Sequence, residues 1–482
     1  MDSRIKSAFG FAVLLCGLLS GCQIKTNDQQ KNKVVTPAAP AFRKEAPEWF
    51  KDAVIYEVNI RQSSKKGTIN EFIPQLSRLK QMGVDVLWLM PIYPISKTKR
   101  KGRLGSPYSV RDYRAVNPDL GTIEDFDRLV QSAHGMGMRV ILDYVPNHTG
   151  WDNAWIKDHP DWYMKSADTI RHPFDKNGKS TDWFDVAELD YDNEDLCNEM
   201  ISCMKFWVKE HDVDGYRMDV ADMVPNNFWE KVRPELQAIK PVLMISESEG
   251  SPEHFESCFE TNYGWQMHTL MNELAQGKRK IGDIDKLYRR FKTENPADAT
   301  QLLFITNHDE NSWKGSELTR MGKAKNAMAA FCFTFQGVPL MYTGQEFENR
   351  KQLAFFEKDD LDYEKLNRSH PEFYRKLIAL KHRNKALWNG MYGGTVAKLP
   401  VDDRNNAIYA FQRVKDDEKV LAIFNFSPEP QKTKIIGKEA GGQYLEIFSD
   451  KRYNIVENMP LQLPAWGFLI FEKINTTGEY KK

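Results

Sequence analysis

A repeated alternation of short apolar runs and helical segments is the feature that most limits how this 482-residue chain can fold. Apolar runs bounded by turn residues predict strands buried on both faces, which is typical of a parallel sheet. The predicted strands are residues 53–58, 84–90, 140–145, 215–220, 242–246, a weaker run at 258–261, 302–306 and 338–342. Because there are about eight such units, an α/β fold with a (β/α)8 TIM barrel is favoured over a doubly wound open sheet.

Helix signals lie between the predicted strands. Thr122 can cap a helix together with Asp125 three residues later, and apolar residues then recur on one face. A second apolar face is formed by Leu196, Met200, Cys203, Met204 and Trp207. These amphipathic segments predict the outer ring of helices that a barrel requires.

Polar residues recur where the predicted strands end. In a (β/α)8 barrel the active site lies at the carboxyl ends of the strands, so these side chains are expected to converge on one rim. They are Asp143, Asn147 and His148 on strand three, Arg217 and Asp219 on strand four, Glu247 on strand five, and His308 and Asp309 on strand seven. An aspartate facing a glutamate across a cleft is the arrangement that glycoside hydrolysis needs, with one carboxyl ionised and the other protonated.

Arg217 and Asp219 are two residues apart in a predicted strand, so their side chains project to the same face. The guanidinium is expected to keep the aspartate ionised at neutral pH through its charge and its hydrogen bonds. An ionised and oriented aspartate can act as a nucleophile. An ordinary structural ion pair at a strand end is the alternative, and this stretch alone does not decide between the two.

Six segments resemble sequence motifs of the α-amylase family, glycoside hydrolase family 13. Residues 143–148, residues 215–219, Glu247 and residues 304–309 resemble its four signature regions, and residues 106–113 and 337–346 match two further stretches. The motifs follow one another in the order of the family, and the resemblance covers the chain from about residue 50 to its end. A single motif is weak, but six in order predict membership of the family.

The resemblance implies a retaining α-glycoside hydrolase that acts on α-glucans or malto-oligosaccharides, with α-1,4 or α-1,6 linkages or both, through a covalent glucosyl-enzyme intermediate. Asp219 corresponds to the nucleophile, Glu247 to the general acid and base, and Asp309 to the carboxylate that stabilises the transition state. The substrate-binding positions are Tyr108, His148, Arg217 and His308, with Asp143 expected to orient Arg217. The resemblance implies that the hydrolysis reaction requires no cofactor.

The chain departs from the family after the nucleophile. Starch-cleaving members usually carry a Lys-His pair where this chain has Asp222 and Met223. The backbone of that histidine helps to bind a structural calcium in the family, so here only Asn147 remains as a candidate calcium ligand. Val220 occurs at this position in members that cleave or make α-1,6 bonds and in neopullulanase-like members.

Two alternative functions share the same motifs. A transglycosylase or isomerising synthase of the family would use the same glucosyl intermediate, intercepted by a sugar instead of water. A non-catalytic glycan-binding lipoprotein is the third reading. The presence of Asp219, Glu247 and Asp309 argues against it, because such a protein needs none of these carboxylates.

The amino terminus predicts export. Arg4 and Lys6 precede an apolar run at residues 8–19 that is too short to span a membrane as a mature helix, and Cys22 follows. This resembles a bacterial lipoprotein signal, with residues 1–21 removed and Cys22 acylated; a plain secretory signal is the alternative. The protein is therefore expected in the bacterial cell envelope, held to a membrane only by its lipid, on the periplasmic side or at the cell surface.

The remaining organisation follows from composition and pattern. Residues 22–46 predict a flexible tether, residues 47–384 the barrel with an inserted domain at about 149–188, and residues 385–475 a C-terminal β-sandwich. The formal charge is balanced, with 67 basic and 67 acidic residues, and nothing indicates a nucleic-acid partner. The expected partner is an α-glucan or oligosaccharide substrate, and the oligomeric state is left open.

Overall fold

A computed structural model describes residues 44–362 and 364–474 of the chain. The predicted signal peptide at residues 1–21, the lipidated Cys22 and most of the predicted tether at residues 22–46 lie outside these ranges. Within the described residues, no helix has the length and apolar character needed to cross a membrane.

Eight parallel strands close into a barrel. They pair in the order β1-β12-β11-β10-β9-β8-β3-β2 and back to β1. Their bounds are β1 Ile55–Val58, β2 Val86–Leu89, β3 Arg139–Tyr144, β8 Gly215–Met218, β9 Leu243–Ser246, β10 Thr261–Tyr263, β11 Thr300–Leu303 and β12 Val338–Tyr342. The predicted barrel is confirmed, and the open-sheet alternative is excluded by the pairing of the first strand with the last.

Most strand boundaries differ from the prediction by one or two residues, and those of the sixth and seventh strands differ by up to three. The sixth strand begins at Thr261, where the weaker apolar run was expected to end, because its residues Thr261–Tyr263 pair with both neighbouring strands. The seventh strand begins and ends earlier than expected, at Thr300–Leu303. The fourth strand ends at Met218, so Asp219 is the first residue beyond it.

Helices surround the barrel. They are α1 Ile69–Phe72, α2 Gln75–Met82, α3 Ile123–Gly135, α4 Trp155–Asp158, α5 Glu194–Glu210, α6 Asn226–Gln237, α7 Pro252–Ser257, α8 Trp265–Ala275, α9 Gly282–Glu294, α10 His308–Lys314, α11 Glu317–Met321, α12 Lys325–Thr334 and α13 Pro371–Arg383. The predicted cap of α3 is confirmed: Thr122 accepts a bond from the Asp125 backbone, and Asp125 accepts one from Thr122. The final helix, α13, begins with Pro371 at its first position and ends at Arg383.

The connection from β3 to α5 carries four short strands. β4 His148–Gly150 pairs antiparallel with β7 Val186–Glu188, and β5 Lys165–Ser166 pairs with β6 Thr169–Ile170. The β4-β7 pair starts immediately beyond the carboxyl end of β3. This connection therefore rises over the rim of the barrel where the predicted site residues lie.

Antiparallel strands form the C-terminal region. One sheet has the order β13-β14-β15-β20-β17-β18 and a second pairs β16 with β19. Their bounds are β13 Val396–Lys398, β14 Ile408–Lys415, β15 Glu418–Asn425, β16 Gln431–Ile435, β17 Gly442–Glu446, β18 Lys451–Ile455, β19 Met459–Leu463 and β20 Phe468–Lys473. A shared apolar core that includes Ile423, Leu463 and Phe471 lies between the sheets.

The barrel interior is filled by apolar side chains, among them Ile55, Val86, Ile141, Ile245 and Leu340. At the start of the fourth strand Gly215 has φ +151°, and a Cβ atom there would lie 2.0 Å from the Leu243 carbonyl oxygen. Only glycine permits this approach between neighbouring strands. It places the strand that carries Arg217 firmly against β9, the strand that precedes Glu247.

Candidate active site

One cavity of about 600 Å³ opens at the carboxyl ends of the barrel strands. Most of the predicted site residues line it. They are Tyr108, His148, Asp219, Glu247, His308 and Asp309, and they are joined there by Val220, Ser106, Lys101, Asp182, Trp183, Asp185, Val186, Trp313, Phe355 and Phe356. Such a concave surface with a few convergent polar groups has the character of a small-molecule site.

Arg217 lies at the centre of the site and is completely buried. Its Nη1 donates to Asp219 Oδ1 over 2.9 Å, so the contact that the sequence predicted is present even though Asp219 lies just past the strand. Val220, the next residue, has φ +39°, and this left-handed turn leads the chain away from the strand. Burial raises the pKa of Asp219 to about 6, although Arg217 opposes the rise.

Asp143 connects Arg217 with two aromatic side chains. Its Oδ1 accepts a bond from Arg217 Nη1 over 2.8 Å. Its Oδ2 accepts from the Tyr108 hydroxyl over 2.9 Å and from Trp88 Nε1 over 3.2 Å. Because this carboxyl is fully buried and used on both oxygens, its geometry suits the orientation of Arg217.

Glu247 occupies the other side of the Arg217 guanidinium. Its Oε1 lies 2.6 Å from Arg217 Nη2, and its Oε2 accepts a bond from the Val220 backbone N–H over 2.8 Å. Burial raises the pKa of Glu247 to about 8; Arg217 opposes the rise, and the neighbouring Asp219 adds to it. At neutral pH this carboxyl therefore carries a proton.

His308 is held by a carboxylate that sequence reasoning missed. Its Nδ1 lies 2.5 Å from Oε1 of Glu57, a fully buried residue of β1, and its Nε2 lies 2.8 Å from the Tyr108 hydroxyl and 3.3 Å from Asp309 Oδ2. Burial alone would lower the pKa of His308, but Asp309 and Glu57 raise it to about 9. A lone carboxylate inside an apolar strand was the only sequence signal for Glu57.

Asp309 is the more open carboxylate of the site, with 34% of its side chain exposed. Its Oδ1 accepts a bond from Trp313 Nε1 over 3.3 Å. It lies beside the protonated His308, so its negative charge is balanced locally. The carboxylate is therefore open to a ligand in the cavity.

Aromatic side chains that sequence reasoning also missed line one wall of the cavity. Phe355 stacks on Tyr108 with a ring separation of 6.2 Å, and Trp313 lies 5.2 Å from Phe355. Trp313 is 54% exposed. Flat apolar surfaces of this kind suit the faces of sugar rings.

His148 and Trp183 form part of the opposite wall. Their rings are 5.8 Å apart, and both residues line the cavity. Burial lowers the pKa of His148 to about 4, so its imidazole is neutral. Of the other aromatics in the connection after β3, Trp162 and Tyr163 are buried and belong to the large apolar core that also includes barrel residues.

Asn147, the candidate calcium ligand, contacts its neighbours through its side-chain nitrogen and its backbone oxygen. Its side-chain nitrogen lies 3.3 Å from His148 Nδ1, and its backbone oxygen accepts a bond from the Leu189 N–H. Among residues 44–362 and 364–474, no group of three or more Asp, Glu, His or Cys side chains is arranged to hold a metal ion.

The geometry brings two carboxyl groups in opposite protonation states to one guanidinium. Asp219 is largely ionised and Glu247 largely protonated at neutral pH. The same environment can supply a nucleophile and an acid to a substrate held in the cavity. One ionised and one protonated carboxyl group at a shared site are the pair of groups that glycoside hydrolysis uses.

Comparison with known families agrees with this reading. The sequence profile described as the α-amylase catalytic domain matches residues 46–435, and that of the α-amylase C-terminal all-β domain matches residues 399–472. An α-amylase of Haloarcula japonica is 24% identical over 435 residues, which cover 86% of this chain and 61% of that protein. Neopullulanase 2 of Thermoactinomyces vulgaris is 28% identical over 463 residues, covering 82% and 73%.

Solved structures resemble the whole described fold. A noncanonic maltogenic α-amylase from Thermotoga neapolitana superposes with a TM-score of 0.77 at 27% identity, covering 88% of this chain and 98% of that one. An α-amylase from Lactobacillus plantarum gives the same TM-score at 29% identity, with coverages of 88% and 99%.

Glu57→Gln is expected to lower the pKa of His308, because the substitution removes one of the two carboxylates that favour the imidazolium. The measurement is an NMR titration of selectively labelled histidines in the folded protein. Glu256→Gln is the matched control, since Glu256 is exposed and should leave the His308 titration unchanged. A His308 titration that is the same in Glu57→Gln and in the unmodified protein would contradict the assignment.

Proposed function

Because the chain belongs to the α-amylase family, we propose that it is a retaining glycosidase that hydrolyses α-glucans or malto-oligosaccharides. The observation that carries this proposal is the contact of one buried guanidinium, Arg217, with both Asp219 and Glu247. The cavity around them supports a sugar substrate through its carboxylates, histidines and aromatic side chains. Supporting relatives are named neopullulanase, cyclomaltodextrinase and maltogenic amylase.

In the first chemical step, Asp219 attacks the anomeric carbon of the bound sugar. Its ionised oxygen forms the new bond as the bond to the leaving oxygen breaks, and Glu247 donates its proton to that oxygen. The leaving sugar departs with a free hydroxyl. A glucosyl ester of Asp219 remains as the intermediate.

In the second step, water takes the place of the leaving sugar. Glu247, now ionised, removes a proton from the water as its oxygen attacks the anomeric carbon, and the ester bond to Asp219 breaks. Glu247 regains its proton and Asp219 its charge. Two displacements at one carbon return the α configuration.

The remaining polar groups bind and orient the substrate. Asp309, open to the cavity and next to the protonated His308, accepts hydrogen bonds from sugar hydroxyls and stabilises the positive charge of the transition state. His148 is neutral and can both accept and donate a hydrogen bond. Asp143 holds Arg217, and Tyr108 offers its ring to the face of the sugar.

The protein itself supplies all groups that these steps use, and no step needs a cofactor. We also propose that the protein cleaves α-1,4 linkages, α-1,6 linkages or both. Val220, Asp222 and Met223 lie directly after the nucleophile, on the side of Glu247, and their identities differ from those of starch-cleaving members. Interception of the intermediate by a sugar would make longer products, which the product analysis below distinguishes from hydrolysis.

We also propose that the protein is a lipoprotein of the bacterial cell envelope. The basic residues Arg4 and Lys6, the apolar run at residues 8–19 and Cys22 support acylation of that cysteine after removal of residues 1–21. We also propose the division of the chain into domains. A flexible tether covers residues 22–46, the barrel 47–384 with an inserted domain at about 149–188, and the β-sandwich 385–475.

The unmodified protein is expected to release α-anomeric products from malto-oligosaccharides, and Asp219→Asn should reduce kcat by about 10⁴-fold or more because it removes the nucleophile. Early products are followed by NMR, which resolves the α and β anomers before mutarotation. Chromatography of the products at low and high substrate concentration detects any sugars longer than the substrate.

Asp158→Asn is the control for this substitution, because Asp158 is an exposed residue of α4. It should retain kcat within about 2-fold, as surface substitutions usually do little. Initial β-anomeric products would contradict the two-displacement mechanism. Full activity in Asp219→Asn would remove the nucleophile assignment.

The dependence of kcat/KM on pH is expected to be bell-shaped, with its acid limb near pH 6 and its alkaline limb near pH 8. Activity falls below the first value because Asp219 becomes protonated, and above the second because Glu247 loses its proton. Glu247→Gln should abolish the alkaline limb when the substrate carries a leaving group that needs no proton. An alkaline limb that persists in this variant would assign it to another group.

Replacement of the predicted lipid site should free the protein from the membrane. Cys22→Ala is expected to abolish incorporation of labelled fatty acid in a bacterial host and to move the protein from the membrane fraction to the soluble fraction. Cys16→Ala, within the apolar run, is the matched control and should still be acylated. Equal labelling of Cys22→Ala and the unmodified protein would refute the lipoprotein assignment.

A further inference from the structure

The loop that follows β2 connects the two side walls of the active-site cavity. Lys101, in this loop, donates from Nζ to the Asp182 carbonyl oxygen over 2.7 Å and lies 3.2 Å from Asp185 Oδ1. Asp185 is buried, with only 7% of its side chain exposed. Lys101, Asp182 and Asp185 all line the cavity, so this bridge forms part of its wall.

The same loop is attached to the aromatic wall on its other side. The Leu104 N–H donates to the Phe356 carbonyl over 3.0 Å, and Arg103 binds Glu357 through its backbone N–H over 2.7 Å and its Nε over 3.0 Å. Gly102 has φ +63°, and a Cβ atom there would lie 2.5 Å from Phe356 Cβ. The backbone of the loop at Gly102 therefore packs directly against the Phe356 side chain.

Two arginines fix the shape of the loop. Arg100 donates from Nε to the Ser96 carbonyl over 2.7 Å and from Nη2 to the Ile95 carbonyl over 3.2 Å. Arg61 Nη1 donates to the Gly105 carbonyl over 3.1 Å and to the Phe355 carbonyl over 3.2 Å. Each guanidinium thus satisfies backbone oxygens that a mobile loop would leave to water.

The proposed mechanism determines which side of the cavity holds the leaving sugar. Glu247 protonates the leaving oxygen, so the leaving sugar lies on its side, next to Val220. A second hollow of about 390 Å³ is lined by Asp222, which comes two residues after Val220 of the first cavity. The leaving part of the substrate therefore extends towards this second hollow.

The Asp185 end of the Lys101 bridge lies beside Tyr108, because the Ser109 hydroxyl donates to the Asp185 carbonyl oxygen over 3.1 Å. The loop that carries Lys101 runs directly into Tyr108, whose hydroxyl contacts His308, and His308 contacts Asp309. This is the side that holds the sugar whose anomeric carbon reacts and any sugars that precede it. The chain end on this side is the non-reducing end of the glucan.

We propose that the bridge from Lys101 to Asp182 and Asp185 closes the cavity beyond the reacting sugars, so that the non-reducing end of the substrate abuts on it. The protein then cleaves a fixed, small number of sugars from that end and does not act in the middle of a chain. Lys101 is a specificity-determining residue for this mode of cleavage. The proposal rests on the proposed hydrolysis of α-glucans.

The test uses malto-oligosaccharides with a chromogenic group at the reducing end, either free or blocked at the hydroxyls of the non-reducing sugar. The unmodified protein is expected to cleave the blocked substrate at least about 100-fold more slowly than the free one, because the block cannot pass the bridge. Lys101→Ala should increase kcat/KM for the blocked substrate by about 10-fold or more relative to that for the free substrate.

Lys97→Ala is the matched control, since Lys97 is an exposed lysine of the same loop. It should discriminate between the substrates as the unmodified protein does. Lys101→Met is a second variant that keeps the apolar length of the side chain without its charge, and it should behave like Lys101→Ala. Circular dichroism confirms that each variant is folded.

Cleavage of blocked and free substrates at similar rates by the unmodified protein would overturn the closed end of the cavity. Strong discrimination that survives in both Lys101 variants would overturn the role of Lys101. Absence of cleavage of either substrate would instead refute the proposed hydrolysis, so the two failures are distinguishable.

Discussion

Arg217 is the group on which the architecture of the active site depends. Its guanidinium is completely removed from solvent and contacts the carboxyl groups of Asp143, Asp219 and Glu247. Its Nε donates to the Tyr263 hydroxyl over 3.0 Å. A guanidinium buried without such partners would destabilise the folded state by several kcal/mol. The folded chain therefore holds these carboxyl groups at Arg217 before any substrate binds, and catalysis needs no further ordering of them.

The balance of charge around Arg217 explains why one carboxyl keeps its proton. Five carboxyl groups, those of Glu57, Asp143, Asp219, Glu247 and Asp309, lie around Arg217 and His308. The negative charge of a neighbouring carboxylate disfavours ionisation of a buried carboxyl group. Burial raises the pKa of Glu247 furthest, to about 8, compared with about 6 for Asp219. Two carboxyl groups that contact one guanidinium thus differ in pKa, so that one is ionised and the other protonated at neutral pH.

The sequence predicted the barrel and the convergence of its polar strand ends because both depend on local patterns. Apolar runs define strands, and residues that follow them must lie on one rim. The contact of His308 with Glu57 could not be predicted, since the two residues are 251 positions apart and a single glutamate in β1 has no local partner. The short sixth strand was displaced in the prediction because Thr261 and Asn262 interrupt its apolar pattern. The spacing of Arg217 and Asp219 in the sequence likewise did not show how deeply the pair is buried. Burial raises the pKa of Asp219 more than Arg217 lowers it.

The chemistry and the shape of the cavity come from different parts of the chain. The carboxyl groups follow barrel strands, whose pairing fixes them, while the walls come from the loops around residues 95–105, 182–186 and 355–357. Loops on a rigid barrel can change without disturbing the strands beneath them. An exposed ion pair contributes little to stability, but Asp185 is buried and Lys101 also donates to a backbone oxygen. The position of this bridge is therefore defined by two loops at once, so the length of substrate that the cavity accepts can change while Arg217 and its carboxyl groups stay in place.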